Sequence, residues 1–300
     1  MKVFVTGATG YLGFNIASAF RRAGHKVWGL IRNEEKVPVL VRNEIIPIKG
    51  FMQEPGSYSS VAVDCSVLVH VASDSQGDTA GLDLKTIDTL IASGTQGAAP
   101  KTLIYTSGAW GYGNTGNALV DETALQNPAR VVSWRPGHEQ IVLNAKEVKG
   151  LVIRPGCVYG RQGRLTNMWF ESAVNEQSLK IVGDGNNRWA MVHVDDLAEG
   201  YVAAAESGMS GEIFNLNDRS RSTVREMAEA VAKVAGYKGE IKYIPIKDAS
   251  ATMGDFAEAL ALDQNVDNGK AVRLLGWFPK HTGFVDEIKT YFESWKSYRN

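Results

Sequence analysis

Short apolar runs alternate along this chain with longer stretches in which apolar residues recur every three or four positions. Lys2–Thr6 is β-branched and aromatic and stops at a glycine, the pattern of a short buried strand. An amphipathic stretch, Tyr11–Arg22, follows, and Gly24 closes it as a helix. Val27–Ile31, Ile45–Ile48, Val67–Val71, Thr102–Thr106 and Leu151–Arg154 read as further strands. Gly81–Ser93 reads as a helix, with Leu82, Ile87, Leu90 and Ile91 near one face, and Trp134–Val148 as another. This alternation predicts an α/β fold: a Rossmann-type, doubly wound parallel sheet with both faces covered.

After about residue 160 the rhythm changes. Asp195–Glu206 reads as a helix with two acids at its favourable end, and Gly211–Leu216 as a strand. Thr223–Ala235 is a helix capped by Ser222 or Thr223. Ile241–Ile244 reads as a strand, and Val266–Leu275 and Phe284–Trp295 as the last helices. This is too irregular for a second doubly wound domain. The expectation is a nucleotide-binding domain over 1–160 and a smaller C-terminal substrate cap, mainly 161–300.

Composition narrows the class of partner. Thirty-two Lys+Arg against 33 Asp+Glu leave a net charge of −1, with no basic run. Attraction to nucleic acid or an anionic membrane is therefore not expected. No apolar stretch approaches the roughly 18 residues of a membrane span. Cys65 and Cys157 cannot make a disulfide framework or a structural zinc site, and no His/Cys/Asp spacing suggests a metal. The opening apolar run is too short for a signal peptide, so a cytoplasmic location is expected.

The first strand runs into Gly7, Gly10 and Gly13 before the first helix. Gly7 permits the tight turn, Gly10 the approach of a pyrophosphate, and Gly13 close packing of helix on sheet. The helix then aims free N–H groups and its positive dipole end at the phosphates. The second strand ends Leu30-Ile31-Arg32-Asn33, with no acid for a ribose 2′-OH. Arg32 suits a 2′-phosphate, which favours NADP over NAD. The loop 108–117 carries four glycines and reads as a flexible lid over the site.

Five segments occur in one order: Thr6-Gly7-Ala8-Thr9-Gly10-Tyr11-Leu12-Gly13, His70-Val71-Ala72-Ser73, Tyr105-Thr106-Ser107-Gly108, Arg154-Pro155-Gly156-Cys157-Val158-Tyr159-Gly160 and Val192-His193-Val194-Asp195-Asp196-Leu197-Ala198. In these the chain resembles the extended short-chain dehydrogenase/reductase superfamily, of the NAD-dependent epimerase/dehydratase type. The resemblance implies that residues 188–218 return to the nucleotide domain and that the chain forms a homodimer. It implies cofactor contacts from Thr6, Gly7, Thr9, Gly10, Tyr11, Leu12, Gly13, Val71, Ala72, Ser73 and Pro155. Ser107 matches the family serine that polarises the substrate oxygen.

The family's Tyr-x-x-x-Lys dyad is missing. Aligning helices puts Trp134 at the tyrosine and His138 at the lysine, and indole exchanges no proton at neutral pH. Of ten tyrosines only Tyr243 has a lysine four residues on, Lys247, with Pro245 between them. Lys49-Gly50-Phe51 also stands where the family often has an adenine-contacting Asp. Candidates to replace the missing acid are His138, which also suits the nicotinamide ribose, Glu139 and Tyr112. Arg135 is a candidate substrate anchor, and Trp110, Trp134 and Trp169 candidate walls of an aromatic pocket. Three readings remain open. One is an NADP-dependent reductase or epimerase-like enzyme on a small molecule. The second is a non-redox isomerase, lyase or cyclase with structural NADP, and the third a non-enzymatic NADP(H) sensor.

Overall fold

A computed structural model describes residues 1–74, 77–96 and 100–299. Its first part alternates β1 (Lys2–Val5), α1 (Tyr11–Arg22), β2 (Lys26–Ile31), α2 (Val37–Val41), β3 (Ile46–Lys49), α3 (Ser59–Asp64), β4 (Val67–His70), α4 (Thr79–Gly94), β5 (Lys101–Thr106), α5 (Arg135–Asn144) and β6 (Val148–Pro155). Then come β7 (Cys157–Tyr159), α6 (Arg164–Glu171), β8 (Leu179–Val182), β9 (Met191–His193), α7 (Val194–Glu206) and β10 (Glu212–Leu216). The chain finishes with α8 (Val224–Ala235), β11 (Ile241–Ile244), α9 (Ile246–Met253), α10 (Phe256–Leu260), α11 (Gly269–Leu275) and α12 (Ile288–Ser297).

Seven strands form one sheet in the order β10-β6-β5-β4-β1-β2-β3, and every pairing is parallel. Alternate strand residues face opposite sides. Val3, Val5, Val67, Val69 and Ile104 pack with α1 and α7. Phe4, Leu68, Leu103, Tyr105 and Val152 pack with α3, α4 and α5. The sheet is therefore doubly wound, and its order reverses between β1 and β4. A crevice opens there at the strands' C-terminal ends, the place where such folds bind ligands.

The smaller C-terminal region has its own core, in which Phe170, Ile181 and Met191 meet Met227 and Val231 of α8 and Phe292 and Trp295 of α12. Between its segments the chain goes back: α7 packs beside α1 and β10 pairs with β6. Among the described residues no helix is long and apolar enough to cross a membrane.

Three expected helices are shorter than their apolar patterns. Trp134–Val148 resolves into α5 and the start of β6, because Ala145 is extended (φ −61°, ψ 130°). Here a Cβ on Gly150 would stand 1.9 Å from the Val142 carbonyl oxygen, so helix end and strand meet backbone to backbone. Val266 makes an isolated bridge to Val120 before α11 begins. Phe284 is buried in the C-terminal region's core ahead of α12, so its apolarity reports packing rather than helix.

Candidate functional site

A cleft of about 520 Å³ lies over the C-terminal ends of β1, β4, β5 and β6. At one end the backbone shapes it. Gly7 sits at φ +69°, and a Cβ there would lie 2.8 Å from the Cα of Ala72 in the loop after β4. Gly13 is tighter: a Cβ would lie 2.1 Å from the Gly7 carbonyl oxygen. Gly10 is the N-cap of α1, with no side chain capping the helix and no acid in its first turn. Thr6 Oγ1 accepts hydrogen bonds from the Val71 and Ala72 N–H groups, both 3.2 Å, and so ties the loops after β1 and β4 together. Thr9, Tyr11, Leu12, Val71, Ala72 and Ser73 line this end, and Leu30 and Met52 add apolar wall. The Tyr11 hydroxyl donates to the Gly160 carbonyl at 2.7 Å, and burial raises its pKa well above the ordinary value. Arg32 lines the same end, and Lys36 joins it from the turn after β2. Arg32 Nη1 is 2.9 Å from Asp74 Oδ2, in a pair whose arginine side chain is 61% exposed. Lys49 is paired with Glu34.

The other end is made by side chains. Ser107, one residue past β5, is buried, and its hydroxyl has no hydrogen-bond partner among the described residues. Arg135, the first residue of α5, lines the same wall and donates from Nη1 to the Thr106 carbonyl at 2.6 Å. Pro155, Gly156, Cys157 and Val158 form the β6 side, and burial pushes the Cys157 thiol up to about 12. Trp110 closes the end, edge-on to Phe256 at 5.6 Å. Val132, Leu165 and Gln264 complete it; Gln264 Nε2 is fixed by the Ala109 and Gly113 carbonyls at 2.6 and 3.3 Å.

The remaining candidates are not among the residues lining this cleft. His138 Nδ1 is 2.8 Å from Asp83 Oδ2, to which the buried Tyr105 hydroxyl also donates at 2.9 Å. His70 Nε2 lies 3.2 Å from the other Asp83 oxygen. Burial opposes the Asp83 charge, but hydrogen bonding to His138 and His70 outweighs it and holds the carboxyl well below its usual range. Glu139 is fully buried and held by both Nε and Nη2 of Arg154.

Tyr112 is no loose lid residue. It is 3% exposed, accepts from Arg154 Nη1 at 2.7 Å and donates to Asn215 at 2.8 Å. Burial raises its pKa although Arg154 opposes the rise. The glycine-rich loop is thus anchored through its aromatic residue. Trp134 lies under the Arg135 guanidinium, 4.7 Å from ring centroid to Cζ, and Trp169 stacks on Trp189 in the C-terminal region's core. The α5 residue that turns into the cleft is therefore Arg135, one position on from the expected tyrosine site.

Sequence reading missed Lys36, Met52, Val132, Leu165 and Gln264. A basic residue four beyond Arg32 was a usable signal for Lys36; nothing local marks the others, which tertiary packing brings in. It also expected no metal-ligand spacing. The fold sets ligating atoms of His193, Asp195 and His281 within 4.8 Å of one another, with both Asp195 oxygens held by Arg161 at 2.8 Å.

A glycine-built cradle at the switch point of a doubly wound sheet, with a largely apolar pocket beside it that carries Ser107 and Arg135, defines a Rossmann-type protein of the extended short-chain dehydrogenase/reductase superfamily. The chain belongs to the NAD dependent epimerase/dehydratase family, whose model matches residues 3–216. It is 25% identical over 261 residues to a 4-hydroxy-2-methyl-3-oxo-4-farnesyl-3,4-dihydroquinoline-1-oxide ketoreductase of Stigmatella aurantiaca, covering 84% of this chain and 78% of that one. It is 26% identical over 298 residues to a ceramide reductase of Caulobacter vibrioides, covering 97% and 90%. The fold is also that of a dTDP-glucose 4,6-dehydratase from Bacillus anthracis solved with NAD. That match has a TM-score of 0.82 at 20% identity and covers 99% of this chain and 97% of the other.

Proposed function

We propose that this protein is an NADP-dependent oxidoreductase acting on a carbonyl or hydroxyl group of a small organic molecule. One observation carries the reading: the buried, unpartnered Ser107 hydroxyl in the wall of the cleft beside the glycine cradle. A buried hydroxyl without a partner is costly unless a ligand completes it. The cradle fits a dinucleotide on its own geometry, since Gly7 and Gly13 leave no room for a side chain and α1 presents uncapped N–H groups. When bound, a reduced nicotinamide supplies a hydride to the carbonyl carbon while the oxygen takes a proton from solvent, giving alcohol and oxidised dinucleotide.

Ser107 donates a hydrogen bond to the oxygen on which charge develops. The preference for NADP rests on Arg32 and Lys36 lining the same end of the cleft. The relatives named as reductases support a reduction. The test follows NADPH oxidation across a panel of alkyl and aryl ketones. Ser107→Ala is expected to lower kcat/KM about 100-fold, as loss of such a donor does, with the dinucleotide Kd unchanged. Full turnover in that variant would reject the assignment.

A second reading has its own support: no Asp, Glu or His is among the described residues lining the cleft. That favours a protein that binds NADP(H) without turnover and senses its redox state. Equal affinity for the oxidised and reduced forms counts against it.

A further inference from the structure

We infer that the substrate is an oxo acid with an apolar body, and that Arg135 holds its carboxylate. The inference rests on the redox reading above and names the substrate class of the same site.

Arg154, Arg161 and Arg188 each face a carboxylate, from Glu139, Asp195 and Asp263 respectively. Arg135 is half-buried and makes no ion pair among the described residues. Its contacts are one neutral carbonyl, Thr106, through Nη1, and the face of the Trp134 ring. Nε and Nη2 are left without a protein acceptor among the described residues, on a side chain that lines the cleft. Two N–H groups in one plane match the two oxygens of a carboxylate. The Asp83 carboxylate feels this cation without forming an ion pair with it, and a partly buried guanidinium whose fork has no carboxylate on it is an arrangement that an anionic ligand relieves.

The surroundings agree in sign and polarity. With no Asp or Glu among the described lining residues, an anion meets no carboxylate in the wall and an amine finds no counter-charge there. Trp110, Val132, Val158 and Leu165 offer apolar wall to the rest of the molecule. The bond to the Thr106 carbonyl also tethers the guanidinium beside Ser107, the next residue in the chain. An oxygen on Ser107 and a carboxylate on Arg135 therefore belong to one small molecule with its two functional groups close together.

The test titrates the NADP⁺-loaded protein calorimetrically with benzoylformate, 2-oxohexanoate and the methyl ester of each. Acid and ester share the ketone and the apolar body and differ in charge. The acids are expected to bind at least ~10-fold more tightly than their esters, the range of a charge-assisted fork. Arg135→Leu should erase that preference, and Arg135→Lys should keep part of it. NADPH affinity, read by fluorescence, should be the same in both variants as in the parent.

Three results would overturn the inference: esters that bind as well as the acids, an acid preference that survives in Arg135→Leu, or no binding by any of the four compounds. A loss of NADPH affinity in Arg135→Leu would also overturn it, by assigning the fork to the dinucleotide. The redox reading stands apart from all of these, because it falls only with dinucleotide binding or with the Ser107 result.

Discussion

The two ends of the cleft are held by different kinds of structure. At the dinucleotide end the shape is made by main chain: Gly7 against Ala72, Gly13 against the Gly7 carbonyl, and the open N-terminus of α1. At the reacting end it is made by side chains from the end of β5, the first turn of α5 and the C-terminal region. There the most chemically capable groups engage one another behind the wall, as Glu139 with Arg154 and His138 with Asp83. Ser107 and Arg135 are left in the wall of the cleft without a carboxylate partner among the described residues. A site made of backbone depends on which residues are absent, and a site made of side chains depends on where each one is turned.

The sharpest way to test that contrast is to remove a buried partner. Glu139 and Arg154 are both nearly sealed, at 0% and 3% exposure. Deleting one member of such a pair leaves an uncompensated charge in the interior, at a cost of about 3–5 kcal/mol. Glu139→Ala is therefore expected to lower the urea midpoint strongly, with part of the loss recovered when Arg154→Met is added. If Glu139→Ala unfolds like the parent protein yet loses turnover, Glu139 is chemical after all and the division between frame and cleft is wrong.

At the other end the expected effect is on binding rather than folding. A methyl group at Gly13 would meet the Gly7 carbonyl oxygen at 2.1 Å, and backbone has to move to admit it. Overpacking of this kind costs roughly 1–3 kcal/mol, and where the dinucleotide has to restore the turn that corresponds to a ~5- to 150-fold loss of affinity. Gly13→Ala should weaken NADPH and NADH equally, because the cradle precedes the point where they differ. Unchanged affinity for both would show that the dinucleotide does not use this turn.

The same contrast explains what could be read from the chain. The alternation of strands and helices and the glycine cradle follow from local pattern and from spacings that turn geometry constrains, whereas the return of α7 and β10 to the sheet comes from the resemblance alone. The direction of a helical side chain at a helix start does not. Trp134 and His138 are four apart, and Arg135 and Glu139 are also four apart, so two registers place one pair or the other toward the cleft. Tertiary contacts chose between them: Asp83 on α4 draws His138 away, and Arg154 on β6 draws Glu139. Likewise the glycines around Tyr112 suggested mobility, whereas Arg154 and Asn215, both distant in sequence, hold its hydroxyl.

The smallest expected effect concerns the choice between the two dinucleotides, and it is where the dinucleotide end also relies on side chains. Arg32 is already paired with Asp74, but its own side chain is 61% exposed, and pairs open to solvent contribute only about 0–1 kcal/mol. A 2′-phosphate carries more charge than one carboxylate and can displace it, with Lys36 adding attraction from the neighbouring turn. Arg32→Ala and Lys36→Ala are each expected to weaken NADPH about 3- to 10-fold, equivalent to ~1 kcal/mol, and to leave NADH within about twofold. The NADPH effect should shrink as salt rises, since the contacts are solvent-facing. A parent protein that binds NADH as tightly as NADPH would show that Arg32 serves Asp74 rather than the phosphate. Equal losses for both dinucleotides in Arg32→Ala would point the same way.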